Sequence, residues 1–326
     1  MNMKSNTENK ILAHIKNRGQ VTASDLTNYL EISRQAVHKQ ISKLQEKGLI
    51  YKIGRPPKVF YLLAEDVIKK DDITVDEKTK KVINDNFLNI TASGERQEGF
   101  EGFIHWCLKR KEPLEKTAKE YVETLEKYKL YKKDGLIHGM HKLKSTFPDT
   151  SVDKLFYLDF YSIERFGKTK LGQLLLYAKQ SQNRKLIKEL VDQIRPQIEK
   201  LILKYKIEAV GFIPPTVKRE VQLMRELEKQ LHLTNPIITL VKVKTPIIVP
   251  QKTLNKLDDR IENAKRTIMV SETKKFKTIL LIDDALGSGA TINETAKKIK
   301  KQQLAKIVMG LAITGSFSGF EVISEV

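Results

Sequence analysis

Apolar Ile11, Leu12 and Ile15 recur at helical spacing over residues 10–17, and Arg18-Gly19 closes that segment. Gln20-Val21 leaves room for a short strand. Thr22 stands three residues before Asp25, the spacing of a capping box, and opens a second helix carrying Leu26 and Leu30. Ile32 fills the turn and Ser33 is the N-cap of a third helix. In that helix Val37, Ile41 and Leu44 form an apolar stripe. Arg34, Gln35, His38, Lys39, Ser42 and Lys43 occupy the other side until Gly48 stops it. Two β-like runs, residues 49–53 and 59–63, follow, joined by Gly54-Arg55-Pro56-Pro57-Lys58.

From about residue 150 the period changes. Helical patterns at 168–180, 183–204, 218–233 and 291–302 alternate with β-rich runs at 209–213, 236–243, 278–282 and 307–314. This alternation predicts an α/β domain with a mostly parallel sheet. Ligands in such sheets gather at the carboxyl ends of the strands. Between the two regions, residues 67–90 are charged and weakly periodic, which suits a linker. Gly94, Gly99 and Gly102 precede an aromatic stretch around Trp106, and a charged helix is expected near 114–131. Residues 93–150 read as a small helical connector or dimerisation element. The expected organisation is therefore 1–66, 67–150 and 151–326.

The order helix, helix, helix, hairpin with a basic tip resembles the winged helix-turn-helix domains of bacterial transcription regulators of the biotin-repressor and MarR-like kind. Residues 33–41 stand where those domains carry their recognition helix. The resemblance implies double-stranded DNA as a partner. A helix of this kind enters the major groove with its N-terminal residues at the base edges. Arg34 and Gln35 are residue types that read guanine and adenine. Ser33, His38, Lys39 and Lys43 share the face, and Arg55 and Lys58 on the wing suit phosphate or the minor groove. The alternative is a winged helix used for protein contacts, its charges simply solvated.

The sharpest chemical signal lies at 278–291, Thr-Ile-Leu-Leu-Ile-Asp-Asp-Ala-Leu-Gly-Ser-Gly-Ala-Thr. A buried strand delivers Asp283 and Asp284 at its end. A small-residue loop then leads into a helix. Glycine lets backbone N–H groups approach an anion closely, and the helix N-terminus adds its dipole. Ser288 and Thr291 supply hydroxyls. The loop suits a phosphate and the carboxylates suit vicinal hydroxyls, a pocket for ribose 5-phosphate. A dinucleotide fingerprint fits worse, because Ile292 stands where its third glycine would be and the acids precede the loop. The Gly-Lys-Ser/Thr of a P-loop is missing too.

This segment resembles the phosphoribosyl diphosphate (PRPP) motif of type I phosphoribosyltransferases. The resemblance implies that Asp283 and Asp284 bind ribose and act in catalysis. It implies that Leu286, Gly287, Ser288, Gly289, Ala290 and Thr291 hold the 5-phosphate, and that Mg²⁺ arrives with the diphosphate, with no direct protein ligand. Gly287-Ser288-Gly289 replaces the Thr-Thr-Gly of many members, keeping one hydroxyl. Residues from about 155 to 315 resemble more closely the ComF-type proteins, through Leu174-Leu175-Leu176-Tyr177-Ala178-Lys179, Ile213-Pro214-Pro215 with Lys218-Arg219 and Gln222, and Pro250-Gln251-Lys252-Thr253-Leu254 with Arg260. The four-cysteine zinc element of many ComF proteins is absent, and a winged helix stands in its place. Lys218, Arg219, Lys252 and Arg260 are the candidates for neutralising diphosphate, where developing charge needs cations.

Charge agrees with polyanionic partners. The 326 residues hold 59 Lys+Arg against 40 Asp+Glu, a formal net charge of +19. Residues 1–70 carry 13 basic and 6 acidic side chains, about twice the charge density of the remainder. Cys107 is the single cysteine, which excludes an internal disulfide, and a half-buried structural thiol is expected there. His138 and His141 have the i, i+3 spacing of helical metal ligands but no third ligand in a known pattern, so a surface or packing role is expected. No apolar run approaches a membrane span and no signal-peptide core opens the chain, so a soluble cytoplasmic protein is expected. Two functions remain open. One is a PRPP- or nucleotide-binding transcription regulator, a homodimer on DNA, similar to purine repressors. The other is an active ComF-like phosphoribosyltransferase that uses a nucleobase or amine, in salvage or DNA uptake.

Overall fold

A computed structural model describes residues 3–64, 75–215, 217, 219–243, 254 and 256–316; the side chains of 3–6 and 53–55 lie outside that description. The chain divides into two compact units. One comprises Met1–Asp76 with Cys107–Glu115, the other Glu77–Trp106 with Lys116–Val326.

In the first unit α1 (Met3–Arg18), α2 (Ala23–Leu30) and α3 (Arg34–Glu46) precede the hairpin of β1 (Ile50–Arg55) and β2 (Lys58–Leu63). The hairpin pairs from Ile50 opposite Leu63 to Arg55 opposite Lys58. α1 starts earlier than its apolar pattern because residues 4–10 are polar and carry no stripe. The capping box forms as expected. Asp25 N–H donates to Thr22 Oγ1 at 3.1 Å, and Thr22 N–H donates to Asp25 Oδ2 at 2.8 Å. These bonds, the backbone one first, hold the Asp25 carboxyl below its ordinary range. The strand expected at Gln20-Val21 is reduced to one bridge, Val21 with Tyr61. Ile11, Ile15, Leu26, Val37, Ile41 and Leu44 meet in one buried core. Each comes from a stripe whose spacing places it on one helix face.

The second unit runs α4 (Glu77–Asn86), β3 (Leu88–Ile90), β4 (Arg96–Glu98), α5 (Gly99–Arg110), α6 (Leu114–Lys129), β5 (Lys132–Lys133), β6 (Leu136–His138) and α7 (Met140–Thr146), with the ends of α5 and α6 nearest Cys107–Glu115 counted in the first unit. It continues through β7 (Lys154–Phe160), β8 (Ser162–Ile163), β9 (Gly167–Lys168), α8 (Lys170–Ser181), α9 (Arg184–Tyr205), β10 (Ala209–Phe212) and α10 (Leu223–Leu231). It ends with β11 (Leu240–Lys242), α11 (Leu257–Thr267), β12 (Ile268–Val270), β13 (Phe276–Leu286), α12 (Ala290–Lys301) and β14 (Ala305–Gly315). Among the described residues, six strands form one sheet in the order β10-β13-β14-β7-β6-β5. The first four are mutually parallel; β6 and β5 add antiparallel at one edge. Ile279 to Ile282 in β13 are wholly buried, as the continuous apolar run of an inner parallel strand requires. Helices α8, α9 and α10 cover one face around Leu174, Ile194, Leu227 and Leu280.

Two expectations change. Residues 77–106 and 116–150, read above as linker and connector, pack into this unit. Phe87, Phe103, Trp106, Tyr121 and Phe166 form one aromatic cluster, with Phe87 edge-on to Phe103 and Phe103 stacked on Trp106. Phe103 and Trp106 belong to the aromatic stretch noted above, but Phe87, Tyr121 and Phe166 come from separate segments, so no local signal marked the cluster. The run at 236–243 also splits. Ile237 bridges Val210, while β11 leaves the main sheet and pairs antiparallel with β12.

Candidate functional site

Strand β13 carries the two acids to the carboxyl end of the parallel sheet, and the chain then turns through Gly287-Ser288-Gly289 into α12. Gly289 is the N-cap residue, with φ +78°, and a Cβ there would lie 2.6 Å from Leu143 Cδ1. The dihedral demands glycine, and a Cβ would also displace the Leu143 side chain. Ala290 N–H donates to the buried Ser288 Oγ at 3.3 Å. The remaining first-turn N–H groups of a helix have no intrahelical acceptor, so this loop end favours an anion. Thr291 also lines the cavity beside it.

The two acids differ. Asp284 is paired with Lys179, from the last turn of α8. Asp283 Oδ1 accepts the Asp284 N–H at 2.8 Å. Burial, then the neighbouring Asp284 charge, pushes the Asp283 carboxyl well above its ordinary range; the Asp284 N–H and Lys179 oppose this only in part.

Cations from three further segments line the same cavity, of about 160 Å³. By that volume it holds on the order of ten waters, room for a small organic ligand rather than a lone ion. Arg219 Nη1 donates to the Lys179 carbonyl at 2.8 Å, and Gln222 Nε2 donates to the Arg219 carbonyl at 3.1 Å. Arg260, only 5% exposed, donates from Nε to the Leu254 carbonyl at 2.7 Å, and burial lowers its proton affinity. Lys242, at the end of β11, is pushed down to about 8 by burial.

The fold thus brings Asp283, Asp284, the residues from Leu286 to Thr291, Arg219 and Arg260 to one cavity. Lys218 and Lys252 lie outside the described residues. Lys242, which sequence reasoning did not single out, and Lys179, which it named only as the end of the 174–179 stretch, also line this cavity. For Lys242 a signal existed: it shares the strand phase of Ile238 and Leu240, where an apolar residue is expected. Lys179 was visible as the end of the 174–179 stretch, but its pairing with Asp284, 105 residues away, was not. Cys107 is wholly buried, deeper than the half-buried thiol expected. His138 and His141 are exposed, and the His138 ring packs edge-on against Phe156.

In the first unit Ser33, Arg34, Gln35, His38 and Lys39 are exposed on one side of α3, and Lys43 is half-buried. Ser33 Oγ accepts the Ala36 N–H at 3.3 Å and caps the helix, so its hydroxyl is already engaged. Lys58 is exposed on the wing, opposite Arg55 in the backbone register; the Arg55 side chain lies outside the described residues.

A family model described as an HTH domain matches residues 7–56. No curated protein matches the chain. Among solved structures, a hypoxanthine phosphoribosyltransferase from Staphylococcus aureus is similar at 13% identity and a TM-score of 0.25, over 42% of this chain and 71% of that one. An adenine phosphoribosyltransferase from Leishmania tarentolae is similar at 12% identity and a TM-score of 0.26, over 45% and 87%. No helix among the described residues is long and apolar enough to cross a membrane.

Proposed function

We propose that the α/β unit binds PRPP or a nucleotide and that the helical unit binds double-stranded DNA, so that the chain is a ligand-responsive transcription regulator acting as a homodimer. The observation that carries the reading is the juxtaposition of Asp283 and Asp284 with a glycine loop at a helix N-terminus, in a cavity that also takes Lys179, Arg219, Lys242 and Arg260. Each part of a phosphorylated ribose diphosphate then has a partner. Asp283 and Asp284 accept from the ribose 2- and 3-hydroxyls. The loop N–H groups and the Thr291 hydroxyl donate to the 5-phosphate. The arginines and Lys242 face the diphosphate.

Mg²⁺ suits this donor set as a passenger of the diphosphate. Mg²⁺ characteristically takes one or two carboxylates with substrate phosphates. Here the diphosphate would carry the cation into the cavity that Asp283 and Asp284 line, and its charge would favour the ionised form of Asp283.

Ligand binding is expected to change DNA affinity by about five-fold or more, the usual scale of coupling between sites. The test is to titrate PRPP with Mg²⁺ calorimetrically, and to measure affinity for DNA selected from a random pool with and without PRPP. Absence of PRPP binding, or a DNA affinity that ignores bound PRPP, overturns the regulatory reading.

A second reading, turnover of PRPP with a nucleobase or amine, is favoured by the cations that line the cavity with Asp283 and Asp284, since they would stabilise diphosphate as it leaves. Acceptor-dependent diphosphate release, lost in Asp283→Asn/Asp284→Asn, separates it from the first.

A further inference from the structure

Helix α7 lies outside residues 155 to 315, which carry the phosphoribosyltransferase resemblance, yet it packs on the phosphate loop at three places. Gly139, just before it, sits so close to Leu155 and Leu286 that a Cβ would lie 3.1 Å from each side chain. Leu143 packs against Gly289 at the far end of the loop. Between these contacts Lys142 is buried, with 9% of its surface exposed. Its Nζ donates to the Ser316 hydroxyl and lies 3.5 Å from both the Leu286 and Ser316 carbonyl oxygens. At 3.5 Å the carbonyl contacts are ion–dipole contacts rather than tight hydrogen bonds.

The Leu286 carbonyl belongs to the same planar peptide as the Gly287 N–H. In a trans peptide the two point in opposite directions. A cation on the oxygen side therefore directs the Gly287 N–H away from Lys142 and polarises it, as chained hydrogen bonds polarise one another. Gly287 lines the cavity. Ser316 follows directly on β14, so the same ammonium ties the end of that strand to the start of the loop.

We infer that Lys142 is a positioning residue for the anion site: its ammonium, acting through the Leu286–Gly287 peptide, orients and strengthens the N–H donor that receives the phosphate. The inference rests on the phosphate reading above and adds to it a residue 145 positions upstream of Gly287 in the chain. Lys142 does not touch the ligand.

The experiment titrates ribose 5-phosphate into the full chain and follows the Gly287 amide by ¹H–¹⁵N correlation spectroscopy. Lys142→Met keeps the buried stem and removes the charge. It is expected to weaken ribose 5-phosphate about ten-fold, equivalent to 1.4 kcal/mol, and to shift the Gly287 amide more than the other loop amides. Lys142→Arg is expected to restore most of the affinity, which a purely packing role would not predict. Ser316→Ala keeps the ammonium, loosens its anchor, and is expected to cost about three-fold; it reports even where Lys142→Met folds poorly. Wild-type protein that ignores ribose 5-phosphate overturns the phosphate reading and this inference with it. Wild-type binding with equal affinity in folded Lys142→Met, or an equal loss in Lys142→Met and Lys142→Arg, overturns this inference alone.

Discussion

The helical unit and the α/β unit solve the problem of presenting polar groups in opposite ways. In the helical unit the groups stand in water on one helix, and the same 3.6-residue period that buries Val37, Ile41 and Leu44 turns Arg34, Gln35, His38 and Lys39 outward. In the α/β unit the groups point into a shared cavity and come from β13, α8, the loop before α10, β11 and α11. The contrast separates local from assembled sites. A local site needs one well-capped helix and survives changes elsewhere. An assembled site depends on every element that delivers a residue, and its groups perturb one another, as the raised proton affinity of Asp283 beside Asp284 shows.

The largest expected effect comes from the core beneath the local site. Leu44 is fully buried, so Leu44→Ala costs about 2–5 kcal/mol. DNA affinity, measured by fluorescence anisotropy, is expected to fall while PRPP affinity in the same sample is retained. Loss of both would break the distinction between the two units. Next comes the assembled site. Asp283→Asn/Asp284→Asn is expected to weaken PRPP at least 100-fold, about 2.7 kcal/mol, by calorimetry, with ligand-free DNA affinity within two-fold of wild type. Retained PRPP binding would remove the acids from the site.

Smaller effects sharpen the picture. Arg34→Ala is expected to cost about 1–3 kcal/mol on the preferred DNA sequence and to flatten the preference at one position, whereas Lys58→Ala weakens all sequences alike and lowers the salt slope by about one. A selection experiment at two salt concentrations distinguishes them, and identical behaviour would mean that α3 does not read bases. The smallest effect concerns pH. Asp283 holds its proton to higher pH in the folded chain than the unfolded value of about 3.9. Its folded form is therefore favoured below that value and loses stability as pH rises toward the folded pKa. Asp283→Asn is expected to raise the unfolding midpoint by about 2–4 °C at pH 8, an effect of roughly 1 kcal/mol, and to leave it unchanged near pH 4. The reverse trend would mean that Asp283 is ionised and paired.

Much of this was legible in one dimension because the physics is short-ranged. Thr22 with Asp25, Ser33 before α3, and the apolar run into Asp283 act within a few residues, and each formed where its spacing placed it. The misreadings share one cause. α4 looked like a linker and α5 through α7 like a connector because only packing against distant residues such as Phe166 or Leu286 reveals what they bury.

The sequence by itself determined the order of the elements, the loop that suits an anion and the polar face of α3, because periodicity, capping and glycine conformations are properties of neighbouring residues. Only the tertiary structure decided that Lys179 meets Asp284, that Lys242 and Arg260 line the same cavity, and that Lys142 lies against the Leu286 carbonyl at the start of the glycine loop. Those contacts join residues up to 144 positions apart, and what brings them together is burial of a shared core, which has no signature in local spacing.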